Sequence, residues 1–109
     1  MGEGIARLSR NEHVLVDRDN VLYVGRVLNK SFEIKVGSNT LKIRTKDIWS
    51  IVYKNAPMYL KDELRMVNGS VLQGKITTTP IRLRIAGQTL KFPRRSVLAL
   101  NFAFGVRAR

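Results

Sequence analysis

The chain has 109 residues and no cysteine, which excludes disulfides and thiolate metal sites. Its 20 Lys and Arg outnumber its 8 Asp and Glu, so the net charge is +12. A charge of this size favours a polyanionic partner, of which nucleic acid is the commonest, with an acidic protein or an anionic membrane as alternatives. No run approaches the ~20 apolar residues of a membrane span, so we expect a cytoplasmic protein without a transmembrane segment.

An internal repeat organises the sequence. Gly25-Arg26-Val27 corresponds to Gly74-Lys75-Ile76, and 74 − 25 gives a spacing of 49 residues. The apolar residues around both segments keep the same spacing. We therefore predict two copies of one small β unit, with a basic arm at 1–12, a first repeat at 13–54, a linker at 55–62, a second repeat at 63–102 and a tail at 103–109.

Alternating apolar and polar residues predict five short strands in each copy. In the first copy they cover His13–Val16, Val21–Leu28, Phe32–Val36, Thr40–Arg44 and Ile48–Tyr53. In the second copy they cover Glu63–Val67, Ser70–Thr77, Ile81–Ile85, Thr89–Phe92 and Ser96–Phe102.

Glycine and asparagine mark the turns and bends between and within these strands. Asn68-Gly69 is a strong hairpin signal, and Gly37-Ser38-Asn39 indicates another hairpin turn. Gly25 and Gly74 stand at equivalent places inside a strand, where glycine indicates a sharp bend or a close approach of another backbone. Such bends let a short sheet curl into a barrel.

These elements predict an all-β protein of two tandem five-stranded SH3-like or Sm-like small barrels. The segments Val21–Val27 and Leu41–Ile48, with a glycine in the second strand and an I-R-x-x-x-I pattern, resemble the Sm-like family. The resemblance implies RNA binding through loops, and assembly through the edges of the fourth and fifth strands. Whether the copies form two barrels or one merged, strand-exchanged sheet stays open.

The family's base-binding loops match this sequence only in part. In Sm-like proteins the loop before the last strand carries an Arg-Gly motif that helps to bind a base. Arg44 matches the Arg of this motif, but Thr45 stands where Gly is expected. Pro93 and Arg94 occupy that place in the second copy. In Sm-like proteins the loop after the second strand holds an Asp–Asn pair, and neither copy has this pair. The resemblance therefore implies contacts with the phosphate backbone rather than recognition of a particular base.

The residues that enzymes and metal sites require are scarce. His13 is the single histidine, and the acidic residues are scattered without the spacing of a catalytic carboxylate pair. No glycine-rich phosphate loop follows a predicted strand. We expect no enzymatic activity, cofactor, metal or small-molecule substrate.

Basic residues recur at matching places on the outward faces of both copies. A basic face on a β surface neutralises several phosphates and carries little sequence information. The alternative is a solvated strand face that carries charges without binding a partner. The candidate nucleic-acid contacts are Lys42, Arg44, Lys46, Arg82, Arg84, Lys91, Arg94 and Arg95.

One strand carries apolar residues on both faces, which indicates an interface. Leu22, Val24 and Leu28 lie on the face of the second strand opposite Gly25, and Trp49 is expected to pack between copies or subunits. RNA rather than DNA binding is the leading hypothesis. The alternative is a scaffolding protein that forms a homo-oligomer through barrel edges and binds an acidic protein or another polyanionic surface.

Overall fold

The computed structural model describes residues 12–102, so the predicted arm and tail, apart from Glu12, lie outside the described part. This described part contains ten β-strands, and two single 3-10 turns, Thr45–Asp47 and Arg94–Ser96, precede β5 and β10. The strands are β1 His13–Asp17, β2 Leu22–Val27, β3 Ser31–Val36, β4 Asn39–Arg44, β5 Ile48–Val52, β6 Asp62–Met66, β7 Val71–Ile76, β8 Ile81–Ile85, β9 Gln88–Phe92 and β10 Val97–Phe102.

All described pairings are antiparallel and join the strands into one curled sheet in the order β4-β3-β7-β6-β5-β10-β1-β2-β8-β9. The all-β prediction is confirmed. The finer prediction of two tandem barrels is not, because β2 pairs with β8 and β7 pairs with β3. Each copy passes its third and fourth strands to the other copy.

The sheet divides between β5 and β10 into two halves with equivalent strand orders. We call them the β1 half (β9, β8, β2, β1, β10) and the β6 half (β4, β3, β7, β6, β5). Ile51 lies opposite Leu100 where the halves meet, and these residues are 49 positions apart. An antiparallel pair of equivalent residues marks an approximate twofold axis. The same symmetry relates two pairs of opposed residues: Lys75 lies 49 positions after Arg26, and Lys35 lies 49 positions before Arg84.

The hydrophobic core repeats this symmetry. Fourteen apolar residues are buried in one cluster among the described residues. They form seven pairs separated by 49 positions: Leu15/Leu64, Val27/Ile76, Phe32/Ile81, Ile34/Leu83, Ile48/Val97, Ile51/Leu100 and Tyr53/Phe102. Full burial of such a side chain contributes about 1.5–3 kcal/mol each. Since a 40-residue unit is near the lower limit for an independent core, shared burial is the main source of stability.

The two strand-interior glycines lie where the exchanged strands cross. A Cβ atom on Gly25 would overlap the carbonyl oxygen of Arg84, and one on Gly74 would overlap that of Lys35. The predicted close approach is thus confirmed, and the approaching strand comes from the other copy. Only a residue without a side chain lets the hairpins dock this closely.

One polar side chain clamps each exchanged hairpin. The buried Asn29 accepts a hydrogen bond from the Arg82 backbone N–H at 2.8 Å and donates to the Pro80 carbonyl oxygen at 3.0 Å. At the equivalent place in the β6 half, Thr78 Oγ1 accepts from the Glu33 N–H at 2.8 Å. These bonds satisfy backbone groups where the chain crosses between halves.

Within the described residues, no helix has the length and apolar character needed to cross a membrane.

Candidate nucleic-acid interface

The β8–β9 hairpin carries three of the eight predicted cations. Ile81 and Leu83 are buried, so the alternation of β8 turns Arg82 and Arg84 outward. Lys91 on β9 lies directly opposite Arg82. The hairpin contains no acidic residue, so nothing within it neutralises these charges.

Strand exchange brings a cation of the first copy into the same surface. Arg26 on β2 lies directly opposite Arg84, and the Leu28 N–H donates to the Arg82 carbonyl oxygen at 2.8 Å. Four cations thus stand on three adjacent strands of the β1 half. We call the surface of Arg26, Arg82, Arg84 and Lys91 the basic face.

The predicted cations of the first copy line a cleft between the end of β2 and the turn that follows β4. Lys42, Arg44 and Lys46 line this cleft of about 800 Å³ together with Arg26 and Lys30. Arg44 also forms an exposed ion pair with Asp47, at 3.2 Å between Nε and Oδ2. An exposed pair of this kind is weak, so Arg44 can exchange its partner for a phosphate. The structure therefore places three predicted contacts at one opening.

Arg94 has a different environment from the other predicted contacts. Its Nη2 donates to Oδ2 of the buried Asp62 at 2.8 Å, and its guanidinium carbon lies 5.9 Å from the ring centroid of Tyr53. The side chain of Arg94 is 29% exposed, whereas that of Asp62 is 1% exposed. Arg94 thus ties the turn after β9 to β6, while its neighbour Arg95 is exposed.

Asp62 was assigned to the linker on sequence alone, but it begins β6 and is buried. Besides Arg94, it accepts hydrogen bonds at 2.7 Å from the Lys54 N–H and at 2.7 Å from the Ile76 N–H. Within residues 12–102, the hydroxyl of Tyr53 and Nε of Arg94 are buried near Asp62 without a hydrogen-bond partner. Burial, with the Asp62 charge as a second cause, raises the pKa of Tyr53.

His13 occupies the equivalent position in the first copy. Its Nδ1 accepts the Val27 N–H at 2.9 Å, and its ring meets that of Phe102 edge to face at 4.9 Å between centroids. Burial, with Arg26 as a second cause, lowers the pKa of His13 to about 4. The neutral imidazole is therefore a structural acceptor. Among residues 12–102, no cluster of His, Asp and Glu could hold a metal ion.

The predicted interface residues lie in two places. Leu22 and Val24 are 63% and 44% exposed on β2, where they face Val16 and Val14 of β1. Leu28 and Trp49 are half-buried, Leu28 beyond the end of β2 and Trp49 at an irregular step of β5. Leu22 and Val24 thus form a continuous outer apolar surface with β1, and Leu28 lies instead beside the basic face.

Six cations that line the two clefts lie outside the sequence-based selection: Arg26 and Lys30 in the first cleft, and four lysines in a second one. Lys35, Lys54, Lys61 and Lys75 line a second cleft, in the β6 half. The sequence does indicate a cation at Lys35 and at Lys75, because the repeat aligns them with Arg84 and Arg26, although neither is among the candidate contacts. Lys54 and Lys61 carry no such signal, because the repeat aligns them with Ala103 and Glu12.

Comparison with known proteins gives no relative: no protein-family model, curated protein or solved structure matches this chain.

Proposed function

We propose that this protein binds nucleic acid, RNA in preference to DNA, without catalysis and mainly through the phosphate backbone. The observation that carries the proposal is the basic face, where Arg26, Arg82, Arg84 and Lys91 stand on three adjacent strands. Cations spaced along a pleated surface can each meet a different phosphate of one strand. The preference for RNA rests on the Sm-like resemblance, and we propose that each half is a small barrel of that type completed by exchanged strands.

The directly opposed cations support the assignment physically. Like charges opposite one another in a sheet destabilise the fold, and the basic face places Arg84 opposite Arg26 and Lys91 opposite Arg82. The negative charge of a bound phosphate backbone would offset the repulsion between these cations. The cleft lined by Lys42, Arg44 and Lys46 extends the positive surface beyond Arg26.

Fluorescence anisotropy with labelled single-stranded RNA tests the proposal, using nuclease-treated protein over a series of salt concentrations. The variant is Arg82→Gln/Lys91→Gln, and the control is Arg18→Gln/Arg65→Gln, which removes the same charge from exposed positions off the basic face. We expect the variant to lose about tenfold in affinity at intermediate salt and the salt slope to fall by about 1.4, because two phosphate contacts disappear.

Equal losses in the variant and the control would refute the basic face as the binding surface. A duplex DNA of the same length, bound as tightly as the RNA, would overturn the preference for RNA. Direct recognition of bases would appear as a strong dependence on RNA sequence, which backbone contacts do not produce.

The exposed apolar surface of β2 favours a second candidate function, a homo-oligomeric scaffold. Leu22 and Val24 are the observation behind it, since large apolar side chains on one outer face suit an interface. Light scattering after size-exclusion chromatography tests it with Leu22→Lys, for which Val71→Lys is the matched control at the equivalent position of β7. The scaffold predicts a discrete oligomer that only Leu22→Lys disrupts; a monomeric wild type eliminates it.

A further inference from the structure

The cleft of the β6 half is a second, separate basic site. It has a volume of about 550 Å³ and is lined by five cations, Lys35, Lys54, Lys61, Lys75 and Arg94, with Asp62 as its one acidic residue. Five positive charges and one negative charge leave a net charge of +4. Lining residues come from the linker, β3, β7 and the turn after β9, so the cleft exists only in the assembled fold.

The single carboxylate of this cleft is already fully engaged. Asp62 accepts two backbone N–H groups at 2.7 Å each and the Arg94 guanidinium at 2.8 Å. Its charge therefore neutralises Arg94 and leaves the four lysines uncompensated. None of these lysines forms an ion pair within the described part of the chain.

The fold brings two pairs of these lysines together. Lys35 on β3 lies directly opposite Lys75 on β7, at the strand exchange. Lys54 and Lys61, both in the connection between β5 and β6, are held near one another because Asn55 and Tyr59 exchange backbone hydrogen bonds at 2.9 and 3.0 Å. Like charges held in this way destabilise a protein unless an anion lies between them.

We propose that this cleft binds a compact ligand that carries two or more phosphates. The ammonium groups of lysine are established phosphate-binding groups that act as point charges, and several convergent ones match clustered rather than single phosphates. The volume admits an inorganic oligophosphate or the phosphates of a nucleoside triphosphate. The proposal does not depend on nucleic-acid binding, because the basic face belongs to the other half of the sheet.

The first copy provides a natural control. Arg26 and Arg84 form the equivalent opposed pair, but Glu12 stands 49 positions before Lys61, and Thr45 stands 49 positions before Arg94. The repeat therefore conserves the opposed cations, whereas Lys61 and Arg94 have no cationic counterpart in the first copy.

Isothermal titration calorimetry with sodium tripolyphosphate, on the nuclease-treated full chain near physiological salt, tests the site. Wild type is compared with Lys35→Gln/Lys75→Gln and with the control Arg26→Gln/Arg84→Gln. We expect a loss of affinity of about tenfold or more in the lysine variant and of less than about threefold in the arginine control. Absence of wild-type binding, or equal losses in both variants, would overturn the proposal.

Thermal melting supplies a second readout that does not depend on the calorimetry. Without ligand, Lys35→Gln/Lys75→Gln should melt at or above the wild-type temperature, because a repulsive pair is removed. With tripolyphosphate, the wild type should gain thermal stability by mass action and the lysine variant should not. A lysine variant that unfolds more easily without ligand would assign the pair a structural role and overturn the proposal.

Two further arms separate the possible ligands and the two functions. A nucleoside triphosphate that binds as tightly as tripolyphosphate identifies the phosphates as the whole determinant, whereas tighter binding adds a contact with the base; both results support the site. The Arg82→Gln/Lys91→Gln variant should bind tripolyphosphate like the wild type, whatever its affinity for RNA. If its oligophosphate affinity falls as far as that of the lysine variant, the cleft is not the site.

Discussion

Acidification should destabilise the fold through His13. The imidazole is buried, its Nδ1 accepts the Val27 N–H, and its pKa is lowered from 6.5 to about 4. Between these two values the unfolded chain binds more protons than the folded one. The free energy of unfolding therefore falls as pH drops from 6.5 towards 4, and the contribution of His13 is fully present above 6.5.

The magnitude follows from the pKa shift. A shift of about 2.5 pH units corresponds to about 3.4 kcal/mol at 1.36 kcal/mol per unit. His13 also lines the open cleft beside Arg26, and solvent screening reduces this upper bound, so we expect about 2 kcal/mol.

Urea denaturation at constant ionic strength, from about pH 7 to about pH 4, measures this loss. His13→Asn is the control, because an asparagine oxygen can accept the Val27 N–H but does not titrate. Since the eight acidic residues are shared, the difference between the two curves isolates His13. The single imidazole can also be followed directly by proton NMR. The reasoning would be refuted if the difference in stability between wild type and His13→Asn stayed constant from pH 7 to pH 4, or if the imidazole titrated near 6.5.

Three further changes test the polar network and the backbone. Asp62→Ala should lower the free energy of unfolding, measured by urea denaturation, by about 3–5 kcal/mol, because three donors lose their acceptor. The double variant Asp62→Ala/Arg94→Met should lose less stability than the sum of the losses in the two single variants. Gly74→Ala should cost about 3 kcal/mol by the same assay, since its Cβ would overlap a backbone carbonyl, whereas Gln73→Ala should stay within about 0.5 kcal/mol. Ala86→Gly should raise the melting temperature by roughly 3–5 °C, because Ala86 has a φ of +52°; an unchanged or lower value would contradict the strain.

Much of the fold follows from periodicity in the sequence. The repeat predicted equivalent inward residues such as Phe32 and Ile81, and these are buried in both copies. Strand number, hairpin turns and the two glycine positions were also predictable, because each depends on neighbours within a few residues. The strand bounds agree within one or two positions.

The exchange of hairpins was not predictable from the same pattern. Since the copies share their apolar spacing, β3 presents the same inward residues whether it pairs with β2 or with β7. Gly74 indicated a close approach but could not say which strand approaches. Asp62 was missed because an acidic residue beside a linker normally belongs to the surface, and only its equivalence with His13 indicates otherwise.

The exchange also explains how two copies with the same apolar pattern acquire different surfaces. Each half takes two strands from one copy and three from the other, so a substitution in either copy changes the neighbours of both. The β8–β9 hairpin, which has no acidic residue, therefore lies beside β2 of the first copy, and its Arg84 lies opposite Arg26. The linker instead places Lys54 and Lys61 beside β3 of the first copy, where they meet Lys35. One half thus presents an open basic face and the other a basic cleft, and loss of the exchange would dismantle both.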